Sequence, residues 1–227
     1  MKKLLFAVAV TVAAVFPTSA LAGSFTGVVV AKSGSHVAVA SKSGAVHTVT
    51  TRAHPRLGAL VRVNGTVLRV LGQAHRARIH AIVVKRAGGK TYLAAGRSLL
   101  SIRAGRTFAS LAGSGPSSGA VVNTTVAISN GQLTQQSMQV VGQTASVTVQ
   151  AQVTAVGAGS ITVLVNGQPF SIPLPAGIQL PASLVGQFVT LTLDLSQAGP
   201  TARADDEDEN ENEAEDQDDD LGDDGDD

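Results

Sequence analysis

Apolar and polar residues alternate with period two along most of this chain, from Val37-Ala38-Val39 through Leu60-Val61-Arg62-Val63 and Val147-Thr148-Val149 to Leu191-Thr192-Leu193. That period puts every second side chain on one face, as in a half-buried strand. Ser43-Gly44, Gly88-Gly89, Asn130-Gly131 and Asn166-Gly167 interrupt the runs with residues that favour tight turns, so the runs read as hairpins. Tryptophan is absent and tyrosine occurs once, whereas Val, Thr and Gly recur throughout. β-branched residues suit a pleated surface, and the pattern predicts an all-β body.

A repetition organises these strands. Gly58-Ala59-Leu60-Val61, Gly119-Ala120-Val121-Val122 and Gly186-Gln187-Phe188-Val189 each open a strand on a glycine, at intervals of 61 and 67 residues. Gly72-Gln73 and Gly131-Gln132 supply a second anchor for the first two units, each followed seven positions on by a large apolar residue, Ile79 and Met138. Upstream, residues 29–50, 83–103 and 153–172 each read as three strands separated by turns. The repeat is therefore about 60 residues of roughly five strands. It places a basic first unit at 23–84, a second unit at 85–142 with a Ser/Gly/Pro linker near 112–119, and a third at 143–200. The third runs out after Asp194-Leu195, so its sheet is expected to borrow a strand or keep an open edge. A unit of this size buries only about 60% of its unfolded surface, so adjacent units are expected to pack together.

Gly27-Val28-Val29-Val30-Ala31 and the stretch from Gly58 to Gly65 resemble the small OB-like β-barrel repeats of bacterial exported proteins of unknown function. Those repeats read G-x-V-x-x-V, a turn, a short hairpin, then G-x-x-V-x-V-x-G and a last strand. The likeness covers the first unit well, the second in part and the third without its last strand. It implies up to three imperfect OB-like small barrels and brings no assigned activity.

Charge is sorted by position. Of the 17 acidic residues, 16 lie within residues 205–227 and only Asp194 lies outside, while residues 23–106 hold all five histidines, 14 basic residues and no acid. Residues 201–227 have almost no apolar side chain and are expected to form a disordered acidic tail. Asp216, Asp218, Asp220 and Asp227 echo an EF-hand loop, but Leu221 stands where the loop needs glycine, so only weak, diffuse Ca²⁺ association is expected. At the other end, Lys2 and Lys3, the apolar run 4–16, Pro17 and Ala20-Leu21-Ala22 form a secretory signal-peptide pattern over residues 1–22. A 13-residue apolar run is short for a spanning helix, and without cysteine there is neither a disulfide nor a lipoprotein anchor. The chain is expected to be secreted or held in the cell envelope.

Candidate chemistry is sparse. His36, His47, His54, His75 and His80 lack ligand-pair spacing and have no nearby Cys, Asp or Glu, so no metal is expected. His36 and His47 face one another only if the turn between them sets that register. Residues 115–119 spell a G-x-S-x-G elbow but sit in a linker ahead of a strand, where the elbow needs a preceding strand and a following helix. Gly88-Gly89-Lys90-Thr91 ends like a P-loop yet reads as a hairpin turn. With no paired carboxylates in the body, neither an enzyme nor a cofactor is expected.

The basic segment is more informative. In a strand, Arg76, Arg78 and His80 share one face and Ala77, Ile79 and Ala81 the other. Arg62, Arg69, Lys85, Arg86 and Lys90 extend this surface, with Arg97, Arg103 and Arg106 beyond, and no carboxylate compensates it. It suits an anionic polymer or the chain's own tail. Phe25, Tyr92 and Phe108 are few for base stacking, so sequence-specific nucleic-acid binding is not expected. The function read from the sequence is non-enzymatic binding or scaffolding, with the acidic tail competing for the basic unit or holding cations weakly. The alternative is a structural surface protein that self-associates through its charge-poor second and third units.

Overall fold

The computed structural model describes residues 23–105, 115–174 and 177–196, together with the backbone of a two-residue strand, β1 (Val8–Ala9). The rest of the expected signal peptide, residues 112–114 of the linker near 112–119, Arg106, Phe108 and the acidic tail lie outside the described residues. The first set of strands is β2 (Ser24–Ser33), β3 (His36–Ser41), β4 (Val46–Thr50), β5 (Ala59–Asn64) and β6 (Val67–Gln73). The second is β7 (Arg76–Ala87), β8 (Lys90–Ala95), β9 (Ser98–Arg103), β10 (Ala120–Ser129) and β11 (Gln132–Gln143). The third is β12 (Ser146–Gly157), β13 (Ser160–Val165), β14 (Gln168–Pro173) and β15 (Phe188–Asp194), with a 3-10 turn at Ala182–Leu184.

Pairing gives each set the same order. In the second, β7 lies antiparallel to both β8 and β10, β8 pairs β9, β10 pairs β11, and β11 runs parallel to β9 through Thr134 and Arg103. This first-second-third-fifth-fourth circuit is the closed Greek-key barrel of the OB fold. The first set follows the order β4-β3-β2-β5-β6, without a ladder between β4 and β6 among the described residues, so its barrel is parted along one seam. The third has four strands, β14-β13-β12-β15, and β1 lies antiparallel against the outer edge of β15. The chain is thus an all-β array of three OB-like barrels.

The glycines at 58, 119 and 186 explain why the order recurs. Their φ angles are 83°, 83° and 87°, in the left-handed region where a Cβ is penalised. Their N–H groups donate to the carbonyls of Val29, Val83 and Val153 at 2.9, 2.8 and 2.8 Å. Each carbonyl sits at a register shift in the first strand of its barrel, at Val29/Ala31, Val83/Lys85 and Val153/Ala155. The second anchor does not hold. Gly72 lies near the end of β6 whereas Gly131 lies in the β10–β11 turn, and Ile79 is in a first strand whereas Met138 is in a fifth. Glycine relieves the turn at 65 and 131, while Val70-Leu71-Gly72-Gln73 corresponds to Val140-Val141-Gly142-Gln143. Strand β7 also runs unbroken through residues 84 and 85, so the expected boundary there falls inside a strand; the three strand sets span 24–73, 76–143 and 146–194, the second and third bridged in parallel at Ser98 and Gln150.

Successive residues of a strand point to opposite faces, and at the bulged sites of the first two barrels both faces are covered. Val29 enters the first barrel with Val37, Val39 and Val61, while Val30 joins Ala38, Ala40 and Val46 in a core shared with Ile79, Leu93 and Leu100 of the second barrel. Val83 belongs to that shared core, while Val84 joins Val153, Ile161 and Leu191 of the third. In the third barrel Val153 is buried but its neighbour Thr154 is exposed. Each buried valine is worth about 1.5–3 kcal/mol, so the double-valine sites bind successive barrels in series. Small residues permit the approach: a Cβ on Gly96 would collide with the Val46 carbonyl. Polar contacts reinforce it, with His80 N–H donating to Gly44 O at 2.8 Å and the Thr48 and Ser98 hydroxyls 2.9 Å apart.

Candidate anion-binding surface

Arg76, Arg78 and His80 are exposed on one face of β7, while Ala77, Ile79 and Ala81 fill the core beneath, as strict alternation requires. Their partners in β10 are Ala127, Thr125 and Asn123. None carries charge. His80 Nδ1 donates to Asn123 Oδ1 at 2.8 Å, which orients the ring and leaves Nε2 available. The other edge of β7 meets the β3–β4 turn of the first barrel at the His80–Gly44 bond, and that turn carries exposed Lys42.

Arg62 and Arg69 form a separate group on the first barrel. They are direct cross-strand partners in β5 and β6, both exposed, with Thr26 on the other side of Arg62. Like charges in that position repel, and no carboxylate in the first barrel offsets them.

Lys85, Arg86 and Lys90 gather at the β7–β8 end of the second barrel. Arg86 pairs Thr91, and Lys90 stands between Ala87 and Arg103. Both glycines of that turn have positive φ, so the P-loop-like letters form a hairpin bend. The Arg86 guanidinium occupies the space where a side chain on Gly115 would go. Lys85 lines a hollow with Asp194, the only carboxylate among the described residues. The Ser196 hydroxyl and backbone N–H both donate to Asp194, holding its carboxyl below the usual carboxylate range.

The eight expected residues therefore fall in three groups, not one pocket. Six of them lie on the second barrel and only Arg62 and Arg69 on the first, because β7 opens the second barrel. At about 3.3 Å per residue, Arg76 and Arg86 lie some 33 Å apart along β7, too far for one small anion but within the span of a polymer. Asn123, which orients His80, was not apparent from sequence, since only the β7–β10 register brings residues 43 positions apart together.

The remaining candidates have other surroundings. His36 pairs with Thr50 and His47 with Val39, so the two do not face each other. His47 packs against Phe25 and His36 against Phe188, with ring centroids 4.8 and 4.0 Å apart, and burial lowers the His36 pKa. Ser118 Oγ donates to the Val84 carbonyl, and strand β10 follows the G-x-S-x-G letters where an elbow would continue as a helix. Among the described residues no helix is long and apolar enough to cross a membrane.

No family model and no curated protein matches the chain. Among solved structures it is similar to Drosophila Unr CSD456, at 12% identity and a TM-score of 0.23, over 78% of this chain and 93% of that one. It is also similar to a multidomain protein with nucleic acid binding domains from Streptococcus pneumoniae TIGR4, at 13% identity and a TM-score of 0.24, over 78% and 74%. The OB assignment rests on this chain's own strand order.

Proposed function

We propose that the chain is an exported, non-enzymatic binding protein of the cell envelope or exterior that holds an anionic polymer along the cationic stripe of its first and second barrels. The observation that carries this reading is the exposed row Arg76, Arg78 and His80 beside uncharged partners, with Lys85, Arg86 and Lys90 further along the same barrel and Arg62–Arg69 paired on the first. Cations so arranged, with no local carboxylate, attract polyanions through counterion release. The acidic tail is the intramolecular competitor. A polar chain of about 30 residues has a root-mean-square reach of about 30 Å, enough to reach a barrel of the same molecule. Signal-peptide removal leaves 15 basic and 17 acidic side chains, and removing residues 205–227 leaves a formal charge of +14.

Retention on immobilised heparin, taken as a generic sulfated polyanion, tests the reading. The chain lacking 205–227 is expected to elute at higher salt than the chain with its tail, and Arg76→Gln/Arg78→Gln is expected to shift elution of the tail-less form back down. Equal retention of the tailed and tail-less forms at low salt removes the tail from the mechanism. No effect of the double substitution removes the stripe.

A second reading, a self-associating surface protein, is favoured by Val67, Val70 and Leu71 on β6 and Val140 and Val141 on β11, which are 45–67% exposed. Concentration-dependent size at constant salt supports it.

A further inference from the structure

We propose that the third barrel carries a strand-acceptor slot between β14 and β15, and that the chain's own N-terminal segment around Val8–Ala9 is its occupant. The closed second barrel defines where the slot lies. There, Thr134 at the start of β11 stands beside Arg103 of β9 and opposite Ala127 of β10. Arg103 pairs with Lys90, the first residue of β8, as Pro173 pairs with Ser160, the first residue of β13. Ala127 lies eight positions beyond Gly119, as Asp194 lies eight beyond Gly186. The place of Thr134 in the third barrel is therefore between Pro173 and Asp194.

A hollow of about 20 Å³ lies at that place, walled by Phe170–Pro173 of β14, Leu193–Leu195 at the end of β15, and Val84 and Lys85 of β7. Its walls are almost wholly apolar. Wherever β1 does not pair it, the outer edge of β15 also presents backbone N–H and C=O groups that need partners, so an extended apolar segment satisfies both demands at once.

Strand β1 takes the missing position in the right direction. It runs antiparallel to β15 with Val8 opposite Leu193 and Ala9 opposite Thr192. Leu193 lies seven positions beyond Gly186, as Val126 lies seven beyond Gly119, and the β11 partner of Val126 is Gln135. Val8 thus holds the place of Gln135, one step along from the hollow. The occupant's chemistry follows from the slot: extended, uncharged, apolar, and free of proline where it pairs. Residues 4–16 carry no charge and no proline. Processing after Ala22, which the sequence pattern predicts, would remove this strand and leave the slot open. This inference does not depend on the cationic stripe.

Hydrogen exchange over residues 188–194, read by mass spectrometry on the full chain, tests it. Val8→Pro removes a backbone donor and restricts φ, so it is expected to speed exchange over β15 about fivefold or more. A synthetic peptide of residues 2–12 added in excess is expected to restore protection. Equal exchange in parent and variant overturns the proposal. Faster exchange that the peptide does not reverse also overturns it, whether confined to β15 or spread through the third barrel; reversal by the peptide supports it in both cases.

Discussion

Gly58, Gly119 and Gly186 perform one backbone task in three surroundings, so replacing each by alanine separates conformational from steric cost. All three have φ between 83° and 87°, where an L side chain costs about 1–2 kcal/mol. At Gly119 the new Cβ would also collide with the Thr144 carbonyl, and that segment cannot retreat freely because Thr144 N–H donates to Gly119 O at 2.8 Å. At Gly58 it would sit 2.9 Å from Ala74 O and 3.1 Å from Ile128 Cγ2, with Ala74 N–H donating to Gly58 O at 2.7 Å. Such crowding adds about 1–3 kcal/mol. Gly186 has nothing within 4 Å, because no fifth strand of its own barrel returns past it. Gly186→Ala is therefore expected to cost about 1–2 kcal/mol and the other two about 2–5, with Gly119→Ala the largest. For a chain of this size each kcal/mol lowers Tm by about 2–4 °C. Thermal and urea unfolding followed by circular dichroism at fixed pH and salt measures the series. Three equal losses, or the greatest loss at Gly186, would refute the assignment of the extra cost to the chain leaving the fifth strand.

The double-valine sites give a second expectation. Val84→Thr buries a hydroxyl between the second and third barrels and should cost about 1–3 kcal/mol, whereas Thr154→Val, at the exposed equivalent, should stay within about 0.5 kcal/mol in urea unfolding. A third concerns pH. Burial against Phe188 lowers the His36 pKa in the folded chain, so the unfolded chain binds that proton more readily, and stability should fall as pH drops below about 6.5 towards the folded value. His36→Gln should flatten that part of the stability profile, and an unaltered profile would exclude His36 as its source.

The sequence by itself determined the strands, their turns and the positions of the three strand-opening glycines, because these depend on period-two alternation and on residues whose φ preferences act locally. Asn130-Gly131 and Asn166-Gly167 do bend their hairpins with positive φ at both positions. Arg76, Arg78 and His80 do share an exposed face, since alternation alone assigns it. Other features depended on partners distant in the chain. Gly72 and Gly131 share a following glutamine, yet one ends a fifth strand and the other makes a turn, and only the ladder tells them apart. Residues 76–84 read as the end of the first unit until β7 is seen to pair with β8 and β10, which transfers most of the cationic stripe to the second barrel. The valines at 29–30 and 83–84 look redundant in one dimension. Tertiary structure gives each pair its reason: at a bulge the first valine fills its own barrel and the second meets the next, and at 154, where no further barrel packs, the side chain is threonine facing solvent.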